Sequence, residues 1–225
     1  MEGSIIDRCV NKGSVKLEIS GEAISLGGIC GSATGVIKNS TNYASVDYKE
    51  VKSNDYCFVG GILGTTIYAA SVETRFFNCI NIGNVSGNEA SASGIGGILG
   101  RASVLNTSVY MFNCVNMGNS SKNAIAGKYA GGVSLTGEDQ VHTVFTYYLK
   151  DSAPSVFAWD NPAAKAYLFD KRAGLYMTTD HVTIETLPSN DLIDLLNAWV
   201  DKENLTGATQ YLKWAIVDGK PSLVY

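Results

Sequence analysis

Runs of about five residues rich in isoleucine, valine, phenylalanine and cysteine follow one another through roughly the first 135 positions, and glycine or asparagine closes each run. β-Branched and aromatic residues bounded by turn formers predict strands, and no stretch there carries a ten-residue helical period. The runs are themselves periodic. Phe76-Phe77-Asn78-Cys79-Ile80-Asn81-Ile82-Gly83-Asn84-Val85 precedes Ile95-Gly96-Gly97-Ile98-Leu99-Gly100. Met111-Phe112-Asn113-Cys114-Val115-Asn116-Met117-Gly118 likewise precedes Ala130-Gly131-Gly132-Val133. An earlier copy holds Cys9-Val10-Asn11-Lys12-Gly13-Ser14-Val15 and Leu26-Gly27-Gly28-Ile29-Cys30-Gly31. The second copy starts degenerately, at Asn39-Ser40-Thr41-Asn42, and recovers at Val59-Gly60-Gly61-Ile62-Leu63-Gly64. The double glycines begin at Gly27, Gly60, Gly96 and Gly131, in steps of 33, 36 and 35.

Such a unit divides into three short strands: one at the cysteine, one at Val15, Val46 and Val85, one at the double glycine. A unit of this size cannot bury its own apolar face or complete its own backbone ladder, whereas a stack of units does both. The expected architecture is therefore mainly β: a right-handed parallel β-helix of about four repeats, with copies near 5–34, 36–66, 75–102 and 110–135. Asn11, Asn42, Asn81 and Asn116 share one repeat position and are expected to stack amide on amide. The glycine two residues later suits a left-handed turn, with Ala44 in its place in the second copy. Cys79 and Ile80 both look inward, which breaks strict alternation and suggests a bulge at Asn78.

Beyond about residue 149 the pattern changes, so residues 1–149 are read as solenoid and 150–225 as an α+β cap. Val144 to Leu149 reads as a further strand, followed by a loop at Pro154 and Pro162 and by strands at 166–169 and 174–177. A helix is expected from about Asp191 to Lys202, its apolar face made by Leu192, Ile193, Leu195, Leu196, Trp199 and Val200, with Ser189 or Asn190 as N-cap. A terminal hairpin turns at Asp218-Gly219. Helix and hairpin are expected to cover the open edge of the last coil. No comparable cover precedes Ile5, which suggests that an upstream part of a longer protein, export signal included, is missing.

The units resemble GLUG-motif repeats, marked by glycine, two large apolar residues and glycine. The mark stands at Gly28-Ile29-Cys30-Gly31, Gly61-Ile62-Leu63-Gly64 and Gly97-Ile98-Leu99-Gly100, with isoleucine for the usual leucine, and Leu135 replaces the last glycine in the fourth copy. The C-terminal stretch from Trp214 to Leu223 is also similar to the way such surface proteins finish. The resemblance implies a bacterial surface or adhesin-like protein, at the cell surface or outside the cell. Similar repeats stand beside the catalytic domain of immunoglobulin-A-cleaving metallopeptidases, but this chain has no His-Glu-x-x-His.

Composition narrows the function classes. With 17 basic and 21 acidic residues among 225, and no basic stripe, the chain is not built to bind nucleic acid. No run of ~18 apolar residues exists to span a membrane. Cys9, Cys79 and Cys114, at 70- and 35-residue spacings, read as buried thiols rather than metal ligands, with a Cys79–Cys114 bridge within geometric reach. No cofactor is implied. Asp47, Glu50, Asp55 and Glu73 fall in variable segments, Glu138-Asp139 follows the fourth copy, and none recurs between copies. His142 and His181 lack visible partners. Tyr43, Tyr48, Tyr56, Tyr68 and Tyr110 fall in or beside variable segments, where a ligand-binding face would form. The expectation is a non-enzymatic surface module that binds a glycan or a host or surface protein through loops on one face. The alternative is a carbohydrate-active β-helix enzyme or an accessory domain of one, marked by a groove holding two close acids and a basic residue.

Overall fold

The computed structural model describes residues 3–18, 23–49, 56–67, 72–87, 94–104, 108–127, 129–131, 141–149, 151–157, 164–170, 174–179, 182–186 and 192–225. The described residues form a parallel β-solenoid of about 3 full turns and a shorter fourth, with one helix and a β-hairpin near the C-terminus. Its first face stacks Ser4–Asp7, Gly35–Lys38, Thr74–Phe77, Val109–Phe112 and the start of Val141–Leu149, all parallel. After a bend, a narrow second rung follows: Val10–Asn11, Thr41–Asn42, Ile80–Asn81, Val115–Asn116 and the end of Val141–Leu149. The next face holds Val15–Leu17, Val46–Tyr48 and Val85–Ser86. The last face holds Ala23–Gly27, Tyr56–Gly60, Gly94–Gly96 and Asn123–Ala126, then turns sharply into Cys30–Ala33, Leu63–Thr66 and Leu99–Val104.

Alternation along these short strands fills the interior. Ile37, Phe76 and Met111 point in from the first face and meet Ile62, Leu63, Ile98 and Leu99 from the opposite corner. Val46, Tyr48 and Val85 pack against Cys57, Val59 and Ile95. Each such side chain contributes about 1.5–3 kcal/mol by leaving water, and it does so only because a coil above or below closes the layer.

The bend after the first face is a left-handed residue, not a bulge. Arg8, Asn39, Asn78, Asn113 and Phe145 share one column, with φ of 54°, 50°, 55°, 54° and 49°. Asparagine tolerates that conformation better than most residues, and the reversal lets Cys79 and Ile80 both face inward, each fully buried. Left-handed geometry therefore sits at the asparagine rather than at the glycine expected to supply it. Gly83 and Gly118 are glycine for lack of room: a Cβ would lie 1.8 Å from the Ala44 carbonyl oxygen in one case and 2.0 Å from that of Gly83 in the other.

The fourth coil is shorter than its spelling suggests. Gly27, Gly60 and Gly96 do form one column, but Gly96 pairs with Asn123 and Leu99 with Ala126. Gly131 belongs instead to the strand Tyr129–Gly131, where it pairs with Val104. Asn123-Ala124-Ile125-Ala126-Gly127 thus occupies the place of the double-glycine corner. This coil reduces the middle face to a single bridge, Val85 to Ser120, so the corner is reached early in the chain.

Past the solenoid, Ala164–Asp170 pairs with the last rung, and Gly174–Thr179 and Val182–Thr186 continue the sheet antiparallel. Ser155–Phe157 extends the double-glycine face beside Asn123–Ala126. These strands, not the helix, occupy the C-terminal edge. The helix, Leu192–Thr206, and the hairpin Trp214–Val217 with Lys220–Leu223 lie along the flank of the coils. There Leu192, Leu196, Trp199, Val200, Trp214 and Leu223 pack on Ile80, Ile82, Val115 and Tyr147. Residues 187–191, with the expected N-cap, fall outside the described residues. No described helix is long and apolar enough to cross a membrane.

Candidate functional site

The repeated polar positions are structural. Asn11 donates through Nδ2 to Asn42 Oδ1 at 2.8 Å, Asn42 to Asn81 at 2.7 Å, and Asn81 to Asn116 at 2.8 Å. Nδ2 of Asn42, Asn81 and Asn116 also donates to the carbonyl two residues on, at Ala44, Gly83 and Gly118. A second ladder runs the opposite way: Asn113 donates to Asn78, Asn78 to Asn39, and Asn39 to Asp7. That ladder also receives the flank, since Trp214 Nε1 donates to Asn78 Oδ1 at 2.6 Å and the Leu212 amide to Asn39 Oδ1 at 3.0 Å.

A third column holds Cys9, Ser40, Cys79, Cys114 and Thr146. Each donates its S–H or O–H to the carbonyl two residues earlier. All five cysteines are free thiols, and burial holds Cys79 well above the usual thiol range. Among the described residues no group of three or more histidine, cysteine or acidic side chains is placed to hold a metal.

The outward side of the first face carries different chemistry. Arg75 and Phe77, then Tyr110 and Phe112, then His142 and Val144 alternate with the buried residues of their strands. Their rings stand nearly parallel. Phe77 stacks on Phe112 with centroids 5.1 Å apart and planes at 11°, and Tyr110 stacks on His142 at 4.8 Å and 14°. Tyr110 and Phe112, on one strand, lie 6.1 Å apart at 9°. The Arg75 guanidinium stands 6.0 Å from the Tyr110 centroid, on a ring–cation contact.

The helix flank turns this face into a groove of about 310 Å³. Phe77, Tyr110 and Phe112 form its floor, Trp199 and Glu203 its helical wall, Glu73 and Arg75 its rim. Glu73 Oε2 accepts from Arg75 Nε at 2.9 Å and from Nη2. Behind the wall, Tyr211 packs between Phe77 and Trp199, at 5.8 and 4.9 Å. Its hydroxyl is pushed up to about 12, first by burial and then by the Glu203 charge, so it stays neutral at ordinary pH.

No family model, curated protein or solved structure matches this chain. What the groove does must follow from its own chemistry.

Of the five tyrosines expected on a ligand face, Tyr110 lines the groove. Tyr43 is half-buried, packed on the cluster that joins the coils to the helix and hairpin. Tyr48 is 2% exposed and belongs to the core, because alternation along Val46-Asp47-Tyr48 turns the first and third inward; it presents nothing to a ligand. The Tyr56 side chain, Tyr68 and His181 lie outside the described residues. Asp47 accepts from Ser86 Oγ at 2.6 Å, away from the groove. Phe77, Phe112, Trp199 and Glu203 were missed by sequence reasoning. A signal existed for the first two: in the aligned copies, the residues flanking the buried Phe76 and Met111 are Arg75 with Phe77 and Tyr110 with Phe112.

Proposed function

We propose that this chain is a non-catalytic, surface-associated binding module, similar to GLUG-motif repeat proteins of bacterial surfaces, which holds a glycan or protein ligand outside the cell. The observation that carries this reading is the groove on the first face. Its floor stands on rungs fixed by two asparagine ladders and its wall is fastened to one of them, so it is pre-formed rather than assembled on binding. Its rim charges are engaged with each other, Glu73 with Arg75, which suits recognition more than proton transfer.

The test is a screen of the whole chain against a glycan array and against surface proteins, repeated with Arg75→Ala and Tyr110→Ala. Both side chains face outward, so these variants keep the core. Binding by the parent chain that both variants lose supports the module.

The same lining favours a second reading, a carbohydrate-active enzyme or its accessory domain, since Glu73 and Glu203 share one groove with Arg75. A reducing-end assay on polysaccharides with the parent chain and Glu203→Gln decides it. Turnover that Glu203→Gln removes would replace the binding module with the enzyme.

A further inference from the structure

The groove's ring faces are already taken. Tyr110 has the Arg75 guanidinium on one side and the His142 ring on the other. Phe77 stacks on Phe112, meets Tyr211 at a 45° tilt, and has Lys38 as its register partner on the preceding coil. Val144 pairs with Phe112 in register and stands next in its column. Sugars bound by aromatic residues need an open face, and the floor rings of this groove are stacked on one another and on their column neighbours. Size points the same way: about 310 Å³ is at the low end of ligand pockets, which run roughly 300–1,000 Å³. One side chain fits it better than an oligosaccharide does.

Charge then selects the occupant. Among the described lining residues, Glu73 and Glu203 against Arg75 leave one net negative charge, on a chain whose own net charge is -4. Arg75 shows within the molecule what the surroundings accept: a cationic head beside an aromatic ring and on a carboxylate.

We infer that the groove accepts a lysine or arginine side chain presented by a basic segment of a protein partner. The stem lies along Phe77, Phe112 and Trp199, an apolar channel that long basic side chains cover readily. The ammonium or guanidinium head reaches Glu203, and the acidic chain draws such a partner in at long range. This assignment rests on the groove being the binding face of the module.

The experiment is an NMR titration of the whole chain with four probes: acetyl-lysine methylamide, acetyl-arginine methylamide, acetyl-norleucine methylamide and methyl β-glucoside. The two cationic probes should shift the Trp199 indole signal. Norleucine, which keeps the stem and lacks the charge, should bind roughly tenfold more weakly or worse, and Glu203→Gln should weaken lysine binding by a similar factor, the loss expected for one charge-assisted contact. Equal binding of norleucine and lysine, or lysine binding unchanged in Glu203→Gln, overturns the assignment. A glucoside that shifts the Trp199 signal when the cations do not also overturns it, yet leaves the binding module standing with a glycan as its ligand. Failure of all four probes, with array binding that survives Arg75→Ala and Tyr110→Ala, removes both the cation and the groove.

Discussion

The side-chain amide of Asn81 fills the space that a side chain on Gly61 would need: a Cβ there would lie 2.3 Å from Asn81 Cγ. Gly28 stands in the same relation to Asn42, and Gly97 to Asn116. The two recurring marks of the sequence are thus two sides of one contact, made between successive coils. Gly61→Ala should destabilise the fold by about 3 kcal/mol or more, as overpacking does where backbone cannot retreat. Gly13→Ala is the control, since its nearest neighbour would be 3.9 Å away, and it should change stability by less than about 1 kcal/mol. Urea unfolding of the two variants compares them directly.

The second asparagine ladder ends unfinished. Asn113 Oδ1 is buried and accepts no hydrogen bond, and the next residue in its column is Phe145, held at φ 49°. Phe145→Asn places an Nδ2 donor where the pattern of the preceding rungs directs it, and puts a residue that tolerates the left-handed region at that bend. The variant should gain about 1–2 kcal/mol, read as a higher Tm. A lower Tm would show that the Phe145 ring contributes more than the ladder would.

Alkaline pH should loosen the flank. The Tyr225 hydroxyl donates to the Asn39 carbonyl at 3.0 Å and lies 3.1 Å from Thr41 Oγ1. Burial pushes it up to about 12, as it does Tyr211. A phenol that ionises near 10 when unfolded and near 12 when folded leaves the folded state holding more protons between those values. Stability is then fully present below pH 10 and falls as pH rises toward 12. Tyr225→Phe should reduce that slope and, by losing the hydrogen bond to the Asn39 carbonyl, cost about 1 kcal/mol at pH 8, which unfolding curves at several pH values would show.

Thiol reactivity should divide the cysteines. Cys9 and Cys30 are partly exposed, whereas Cys57, Cys79 and Cys114 are buried. A thiol-specific reagent should label the first two rapidly in the native protein and the others only on unfolding. Cys114→Ser should cost little, because Ser40 already fills the same column and makes the same bond, to Lys38 O at 2.8 Å. Cys114→Val has no donor and more bulk, and should cost about 1–3 kcal/mol.

Much of this fold is written locally. Asn42, Asn81 and Asn116 recur because each rung asks for the same two donors and one acceptor, so recurrence in the chain reports stacking in space. Gly131 misled for a related reason: its neighbours repeat the spelling of Gly96, but pairing follows the path length of the coil, and the fourth coil shortens its middle face. The place of the helix was hidden because Asn39, Asn78 and Asn113, which bind the flank, look like ordinary turn residues. The groove was hidden further, since residues 73 and 203 meet only after the flank has folded back along the coils.

That return has a consequence for how the protein comes apart. Stacked coils joined only to their neighbours fray from an end, one rung at a time. Here the hydroxyl of Tyr225 donates to the Asn39 carbonyl and lies 3.5 Å from that of Cys9, more than 180 residues away along the chain, so freeing the first rungs also means freeing the tail. The tail acts as a latch, tying the release of the first rungs to that of the flank.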